Sequence, residues 1–461
     1  MRRTFVLTML LLGAGLAKLA GQDPALDPRA LGMAGATTSN AQGIHAIGFN
    51  PARLAYSEKD FSLNLGGVGF GILNNYLSVA LYNEVNGADF EDPISKDYVD
   101  KQQFLAAIPE VGMQIIADMH IPVPGLNWSR GTTAFTSDII IYSNLTLPKS
   151  LFELFFEGNI VGKEIRLPLD EEIIGIGEWA FSFAMPQKSY SLGLTLKYLQ
   201  GLFYLGVDQD SSGGFFITDT TGFRGEGRYL IRQAVGGSGI GLDIGFATAE
   251  VNGLSLGFSV INAFGSIKWH GPSVTKDLFG DALLALMPWR ENEYFLYTFK
   301  FDEVTAIDLL GGVDADSLFV RESYTVFVHP DSGLVRSANR DLSEFEPQPF
   351  VTNYPTTLRV GVTQRVEGVG LFTLDLLTGF EDRLWSSRGW ELAIGMEIFP
   401  SPSLPIRMGY RYGGPNKQLL GMGVGLHKGP VQIDIGLGFH NGIWVHTMKG
   451  ISLAFSATLV R

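Results

Sequence analysis

Over its C-terminal third the chain alternates. Leu358, Val360 and Val362 interleave with Arg359, Gly361 and Thr363, and Phe372, Leu374 and Leu376 with Thr373, Asp375 and Leu377. The pattern recurs at Leu392, Ile394, Met396 and Ile398 against Glu391, Ala393, Gly395 and Glu397, then at Ile406, Met408 and Tyr410 against Arg407, Gly409 and Arg411. Val431 to Gly438 and Ile451 to Leu459 repeat it. Successive strand residues face opposite sides of a sheet, so this period builds strands with one greasy and one polar face, whereas a 3.6-residue helix would scramble both.

Earlier segments carry the same signal: Phe61 to Gly71, Tyr76 to Tyr82, Met113 to Met119, Ala134 to Leu147, Trp179 to Met185, Tyr190 to Leu199, Ile240 to Phe246 and Leu256 to Val260. Less regular strands are expected near 225–235, 294–302 and 418–426, giving about fifteen in all; merging or splitting a pair moves this to fourteen or sixteen, within the range of outer-membrane barrels. A secreted sandwich or propeller also alternates. Whole strands with Phe, Trp, Leu and Ile on one face and charges on the other favour a wall between lipid and a wet lumen, and no fixed-period repeat marks a propeller. Three stretches read instead as short amphipathic helices in loops: 95–108, stopped by Pro109; Pro148 to Phe156, stopped by Gly158; and 277–289. Residues 302–353 read as a large, acidic, irregular extramembrane loop with a short element or two.

The N terminus changes the picture from a secreted sheet to an exported one. Arg2 and Arg3 precede a short apolar run from Phe5 to Leu16, so residues 1–22 read as a signal peptide with cleavage near Ala20 or Gly21. That run falls short of the ~20 residues that cross hydrocarbon, and no later run reaches spanning length without charges or glycines. A membrane location therefore requires a barrel. Composition agrees: glycine is 57 of 461 residues, aromatics are 12% and charged residues 18%. The chain has no cysteine, which excludes disulfides, thiolate metal sites and an N-terminal lipid anchor. A net charge of -13 with no long basic run argues against a nucleic-acid partner.

Candidate chemistry is sparse. Gly-x-Gly-x-Gly at Gly67, Gly69 and Gly71, at Gly237, Gly239 and Gly241, and at Gly421, Gly423 and Gly425 lacks the helix a dinucleotide fold needs; period-two glycines let another backbone approach one strand face. No histidine pair has metal-ligand spacing and no Gly-x-Ser-x-Gly elbow occurs. The expectation is a non-enzyme without cofactor or metal. Charges on the polar faces, Lys197, Asp243, Arg359, Asp375, Glu391, Glu397, Arg407, Arg411 and Asp434, are the remaining candidates, with mutual pairing in the lumen favoured over substrate contact.

The stretch Ala30-Leu-Gly-Met-Ala-Gly-Ala36, leading to Gly48-Phe-Asn-Pro-Ala-Arg-Leu-Ala55, resembles the N-terminal hatch of the FadL family of outer-membrane transporters for long-chain fatty acids and aromatic hydrocarbons. Together with Ser238 to Gly245 and Trp269, it looks most like FadL-like proteins of Bacteroidota and related bacteria, whose fold PorV-type proteins of type IX secretion share. The resemblance implies an all-β, antiparallel transmembrane barrel of about 14 strands, a hatch over 23–56 carrying Gly32, Gly35, Asn50, Pro51 and Ala52, and a barrel over 57–461. Gly450-x-x-Leu453-x-Phe455 resembles an outer-membrane insertion signal, although the chain runs on to Arg461. The implied function is passive transport of hydrophobic compounds such as long-chain fatty acids across the outer membrane. The alternative is a secretion-associated scaffold holding a surface protein partner; a lipid hydrolase would need a Ser-His-carboxylate site.

Overall fold

The computed structural model describes residues 27–158, 160–208, 212–219, 222–269, 293–304, 319–324, 326–328, 335–337, 346–347, 350–414 and 418–461. The expected signal peptide and the helix expected at 277–289 lie outside them.

The alternating segments form the wall. In chain order its strands are β1 (Phe61–Asn74), β2 (Met113–Pro122), β3 (Thr133–Leu147), β4 (Asp170–Pro186), β5 (Tyr190–Val207), β6 (Phe223–Thr248) and β7 (Leu254–Trp269). The second half comprises β8 (Thr357–Val366), β9 (Gly370–Gly379), β10 (Glu391–Ser401), β11 (Leu404–Gly413), β12 (Gln418–Lys428), β13 (Val431–His440) and β14 (Gly450–Val460). Each pairs antiparallel with its sequence neighbours, and β1 pairs with β14 from Ser62↔Val460 to Leu73↔Gly450, closing a fourteen-strand ring. Closure leaves no open edge, the condition for a sheet to stand in hydrocarbon.

The two faces separate by burial. Phe181, Leu196, Ile244, Phe372, Ile394 and Phe455 face outward and are exposed, whereas Lys197, Asp243, Arg359, Asp375 and Glu397 on the alternate positions are buried in the lumen. Connections at one end are short, as at 187–189, 402–403 and 429–430; those at the other are long, as at 75–112 and 380–390. The long-loop end is the outer end by the rule for bacterial barrels. The N-terminal segment from Asp27 and the C-terminal Arg461 lie at the short-turn end, where Phe61 and Arg461 exchange backbone hydrogen bonds.

Three expected wall strands are corrected. Tyr76 to Tyr82 does not form a strand: Ser78 caps α2 (Val79–Val85) by accepting from Leu81 N at 3.1 Å. Residues 225–235 and 240–246 are one strand, β6, whose first residues run beyond the ring and pair with Glu293–Val304 and Gly213–Thr218. The strand near 294–302 therefore sits on that extension, outside the ring. The helix expected over 95–108 is shorter, α3 (Lys101–Ala107), because Asp100 caps it through Gln102 N and Gln103 N. The helix expected from Pro148 is present as α4 (Lys149–Glu157), ending at Gly158. The loop expected over 302–353 with a short element or two contains several: Phe319–Tyr324 paired with Glu293–Val304, a small sheet around Val326–Val328, and Phe350–Asn353 on the outer end of β7.

Candidate functional site

The N-terminal segment folds inside the ring. α1 (Pro28–Gly32) is capped by Asp27, which accepts from Ala30 N at 2.8 Å, and Ala34 and Gly35 follow with φ of 52° and 88°. A 3-10 turn over Pro51–Tyr56 is capped by Asn50, whose Oδ1 accepts from Ala52 N at 3.1 Å, with Pro51 in the first position where its missing N–H costs nothing. The same Asn50 donates to Thr38 O and Phe246 O, tying the segment to itself and to β6.

The segment rests on wall glycines. A Cβ at Gly193 would lie 2.1 Å from Ala52 N, one at Gly257 2.4 Å from Thr38 O, one at Gly409 2.2 Å from the Met33 carbonyl carbon, and one at Gly421 2.2 Å from Leu31 O. Gly436 would meet Pro28 O at 2.4 Å. Real Cβ atoms do not approach so closely, so these positions on β5, β7, β11, β12 and β13 admit only glycine while the segment is seated. Gly32 repeats the argument from the other side, 3.0 Å from Gly423 Cα.

Buried charge fastens it. Asp375 accepts from Thr37 N and Thr38 N at 2.9 and 2.8 Å. Arg359 Nη2 lies 4.0 Å from that carboxylate, donates to Gly35 O at 2.6 Å and stacks its guanidinium 4.9 Å from the Phe49 ring centre. Glu397 takes Arg29 Nη2 and Arg407 Nε, both at 2.7 Å, and Arg407 reaches Asp434 at 2.5 Å. His45 Nδ1 contacts Asp27 at 2.5 Å. Burial of His45 would lower its pKa, but Asp27 and then Asp434 outweigh it and hold the imidazole above 6.5; burial of Asp27 is likewise overcome by His45, leaving that carboxyl below 3.8.

Above the segment the lumen is layered. Along β4 from its outer end, the buried inward residues change from Ile174 and Ile176 to Glu178, then to Ala180, Ser182 and Ala184. The outer layer is an apolar cluster with Leu73, Ile116, Leu199, Trp269 and Trp385. The middle layer is polar: Lys197 Nζ meets Glu178 at 3.2 Å, Asp243 at 3.1 Å and Asn262 at 2.9 Å, while Tyr354 donates to Glu178 at 2.6 Å. The small residues of the lowest layer make room for the segment.

One side of this middle layer opens to the wall. The β1–β2 ladder ends at Gly69↔His120, and β1 next pairs on that side at Phe61–Leu63 with Trp128–Arg130. Between them, among the described residues, 65–68 are laddered only to β14, across a bulge at Asn64/Gly66. Pro122, ending β2, cannot donate to a ladder and sits 3.2 Å from where a Gly67 Cβ would be. A chamber of about 70 Å³ lies behind this interruption, lined by Asp27, His45, Asn64, His120, Asp138 and Glu178 on its inner side. Val68 and Phe455, both outward-facing, line it as well, so it reaches the lipid face.

A second cavity of about 70 Å³ lies at the outer mouth, walled almost wholly by carbon: Tyr76, Val85, Phe104, Met113, Phe152 and Phe156 among others. α2, α3 and α4 supply most of it. Its rings meet edge to face, Phe104–Phe156 at 5.1 Å and Phe90–Phe104 at 5.6 Å, and Tyr76 OH is satisfied by Phe104 O at 3.0 Å.

The structure places all nine lumen charges named from the sequence on the inner face and brings them into groups: Lys197 with Asp243, Arg359 with Asp375, Arg407 with Glu397 and Asp434, and Arg411 with Glu391 at 3.4 Å. Gly32, Gly35, Asn50, Pro51 and Ala52 all lie in the inner segment. Sequence reasoning missed Glu178, His120 and Asp138, and the chamber's Asn64, Thr136 and Ser456. Glu178 was findable, since it precedes the outward Trp179 and Phe181 in register, and so were Thr136, Asp138 and Ser456, which lie in unbroken ladders; Asn64 and His120 flank the ladder break, where alternation carries no information.

No curated protein resembles the chain in sequence. Among solved structures, the Ralstonia pickettii toluene transporter TbuX is 12% identical over 95% of this chain and 99% of its own, with a TM-score of 0.51. A Pseudomonas aeruginosa FadL homologue is 12% identical over 96% and 100%, with a TM-score of 0.50. The TodX deltaS2S3 mutant, a monoaromatic hydrocarbon channel, is 10% identical over 95% and 98%, with a TM-score of 0.53. At such identity the likeness is one of fold, that of FadL-like outer-membrane barrels. A family model matches residues 51–437, from the Asn-Pro-Ala turn to β13, and the chain accordingly belongs to that family, described as a family of unknown function (DUF5723).

Proposed function

We propose that this chain is a passive outer-membrane transporter for hydrophobic compounds, with the inner segment acting as its hatch. The observation that carries the reading is the interrupted β1–β2 ladder, which gives a chamber beside the segment an exit to the lipid face. The carbon-lined cavity under α2, α3 and α4 would collect a lipophile at the outer mouth, and the apolar upper lumen would receive it. A lipophile leaving sideways never crosses the charged seat, so the segment can remain fastened at its base. The fold is shared with proteins described as a toluene transporter and a monoaromatic hydrocarbon channel, and with a FadL homologue, which supports the cargo class; long-chain fatty acids are the larger members of that class.

The absence of cysteine permits a clean test. Gly67→Cys with Pro122→Cys places thiols on both sides of the gap. Uptake of a fluorescent lipophile by outer-membrane vesicles should fall to the background of vesicles lacking the protein on oxidation and recover on reduction. Uptake unchanged by the crosslink would remove the lateral route.

A further inference from the structure

The chamber behind the wall gap is built for more than hydrocarbon. Four polar atoms that line it have no protein hydrogen-bond partner: Asn64 Oδ1, His120 Nδ1, Thr136 Oγ1 and Ser456 Oγ. Their residues are 3%, 9%, 4% and 4% exposed, so bulk water does not satisfy them. A buried polar atom left unpaired is costly, and four around one cavity of about 70 Å³ define a site that asks for hydrogen bonds. Apolar side chains share the lining, with Ile47, Phe49 and Ile140 within and Val68 and Phe455 at the gap.

What the site asks for can be read from its atoms. Asn64 Oδ1 is an acceptor only. His120 Nε2 faces Asp138 Oδ1 at 3.3 Å, which leaves Nδ1 as the ring's free nitrogen, an acceptor in the neutral ring and a donor in the protonated one. Thr136 and Ser456 can donate or accept. The complementary group therefore carries both a donor and an acceptor, as a hydroxyl does, whereas a carboxylate has no hydrogen to give. The field points the same way: three carboxylates, Asp27, Asp138 and Glu178, line the chamber against the imidazoles of His45 and His120, and Lys197, which meets Glu178, is shared with Asp243.

We propose that the chamber is a head-group site selecting uncharged, hydroxyl-bearing lipophiles, long-chain alcohols or alkylphenols, over carboxylates, with the hydroxyl among Asn64, His120, Thr136 and Ser456 and the hydrocarbon leaving between Val68 and Phe455. This rests on the transport reading and narrows its cargo.

The test uses the full chain in outer-membrane vesicles with three probes of equal chain length: dodecane, 1-dodecanol and dodecanoate. Protein-dependent uptake of dodecanol should exceed that of dodecanoate by about tenfold, the factor that ~1.4 kcal/mol of lost hydrogen bonding and repulsion produces. Thr136→Val with Ser456→Ala removes both hydroxyls and should abolish the advantage of dodecanol over dodecane, while heat-modifiable mobility on gels shows that the variant folds. Dodecanoate taken up as fast as dodecanol, or a dodecanol advantage untouched in the double variant, would overturn the head-group site while the transporter stands. Failure of all three probes to exceed protein-free vesicles would overturn the transport reading itself.

Discussion

Arg359 is the residue on which most of the seat converges. Its guanidinium faces Asp375, donates to Gly35 O and lies over Phe49, so it joins β8 and β9 to two turns of the inner segment. Arg359→Met fills similar space but leaves Asp375 buried without its cation; removing one partner of such a pair costs about 3–5 kcal/mol. The expected outcome is an inner segment cut by protease at its Met33–Asn40 stretch while the ring stays intact on gels. The His45–Asp27 contact adds a pH dependence. Because His45 is held above 6.5, its contribution is complete below that value and is lost as pH rises through its raised value. Asp27, held below 3.8, contributes above that value and is lost only in strong acid. Asp434 and Arg29 face His45 with opposite effects, so the alkaline loss is tempered but keeps its sign. Hydrogen exchange of the Ala30 to Ala34 amides should quicken on the alkaline side, and His45→Gln should flatten the profile.

Among elements, the wall strands were the legible part, because each crosses from lipid to lumen at every residue and writes that crossing into the sequence. β9 is an instance, with Phe372, Leu374 and Leu376 exposed and Asp375 fully buried. The stretch misread as a strand, Tyr76 to Tyr82, alternates equally well; Ser78 bonding Leu81 N decides for helix, and that capping bond is local chemistry the period does not report. The inner segment was legible as small residues and an Asn-Pro-Ala turn. Its partners were not, since a glycine's role on β11 depends on which carbonyl arrives from nearly four hundred residues away. Gly409→Leu tests the seat: its side chain would occupy the Met33 backbone, so the segment should be displaced. Far-ultraviolet circular dichroism should keep its sheet signal while single-channel recordings show open current where the parent chain shows little.

On the scale of the whole molecule, two solvents define the fold. The outer face needs lipid at every strand, and a charge placed there is penalised by depth, about 2–4 kcal/mol for an arginine at the bilayer midplane. Ile394 is 53% exposed in the middle of β10, so Ile394→Arg should destabilise the ring by that amount. Gly395, one position on, faces Met33, and its larger variants should spare the ring and disturb only the inner segment. Urea unfolding of the ring in lipid vesicles, beside proteolysis of the inner segment, separates the two effects.

The glycine seat also sets an order of events. Thr38 and the carboxylate that holds it are 337 positions apart, and the glycine supports run from Gly193 on β5 through Gly257 on β7 to Gly409, Gly421 and Gly436 on β11, β12 and β13. The full seat thus exists only once the ring is nearly whole, and contacts so distant in sequence form late. The segment is therefore expected to reach its place after the strands that hold it, although it precedes all of them in the chain.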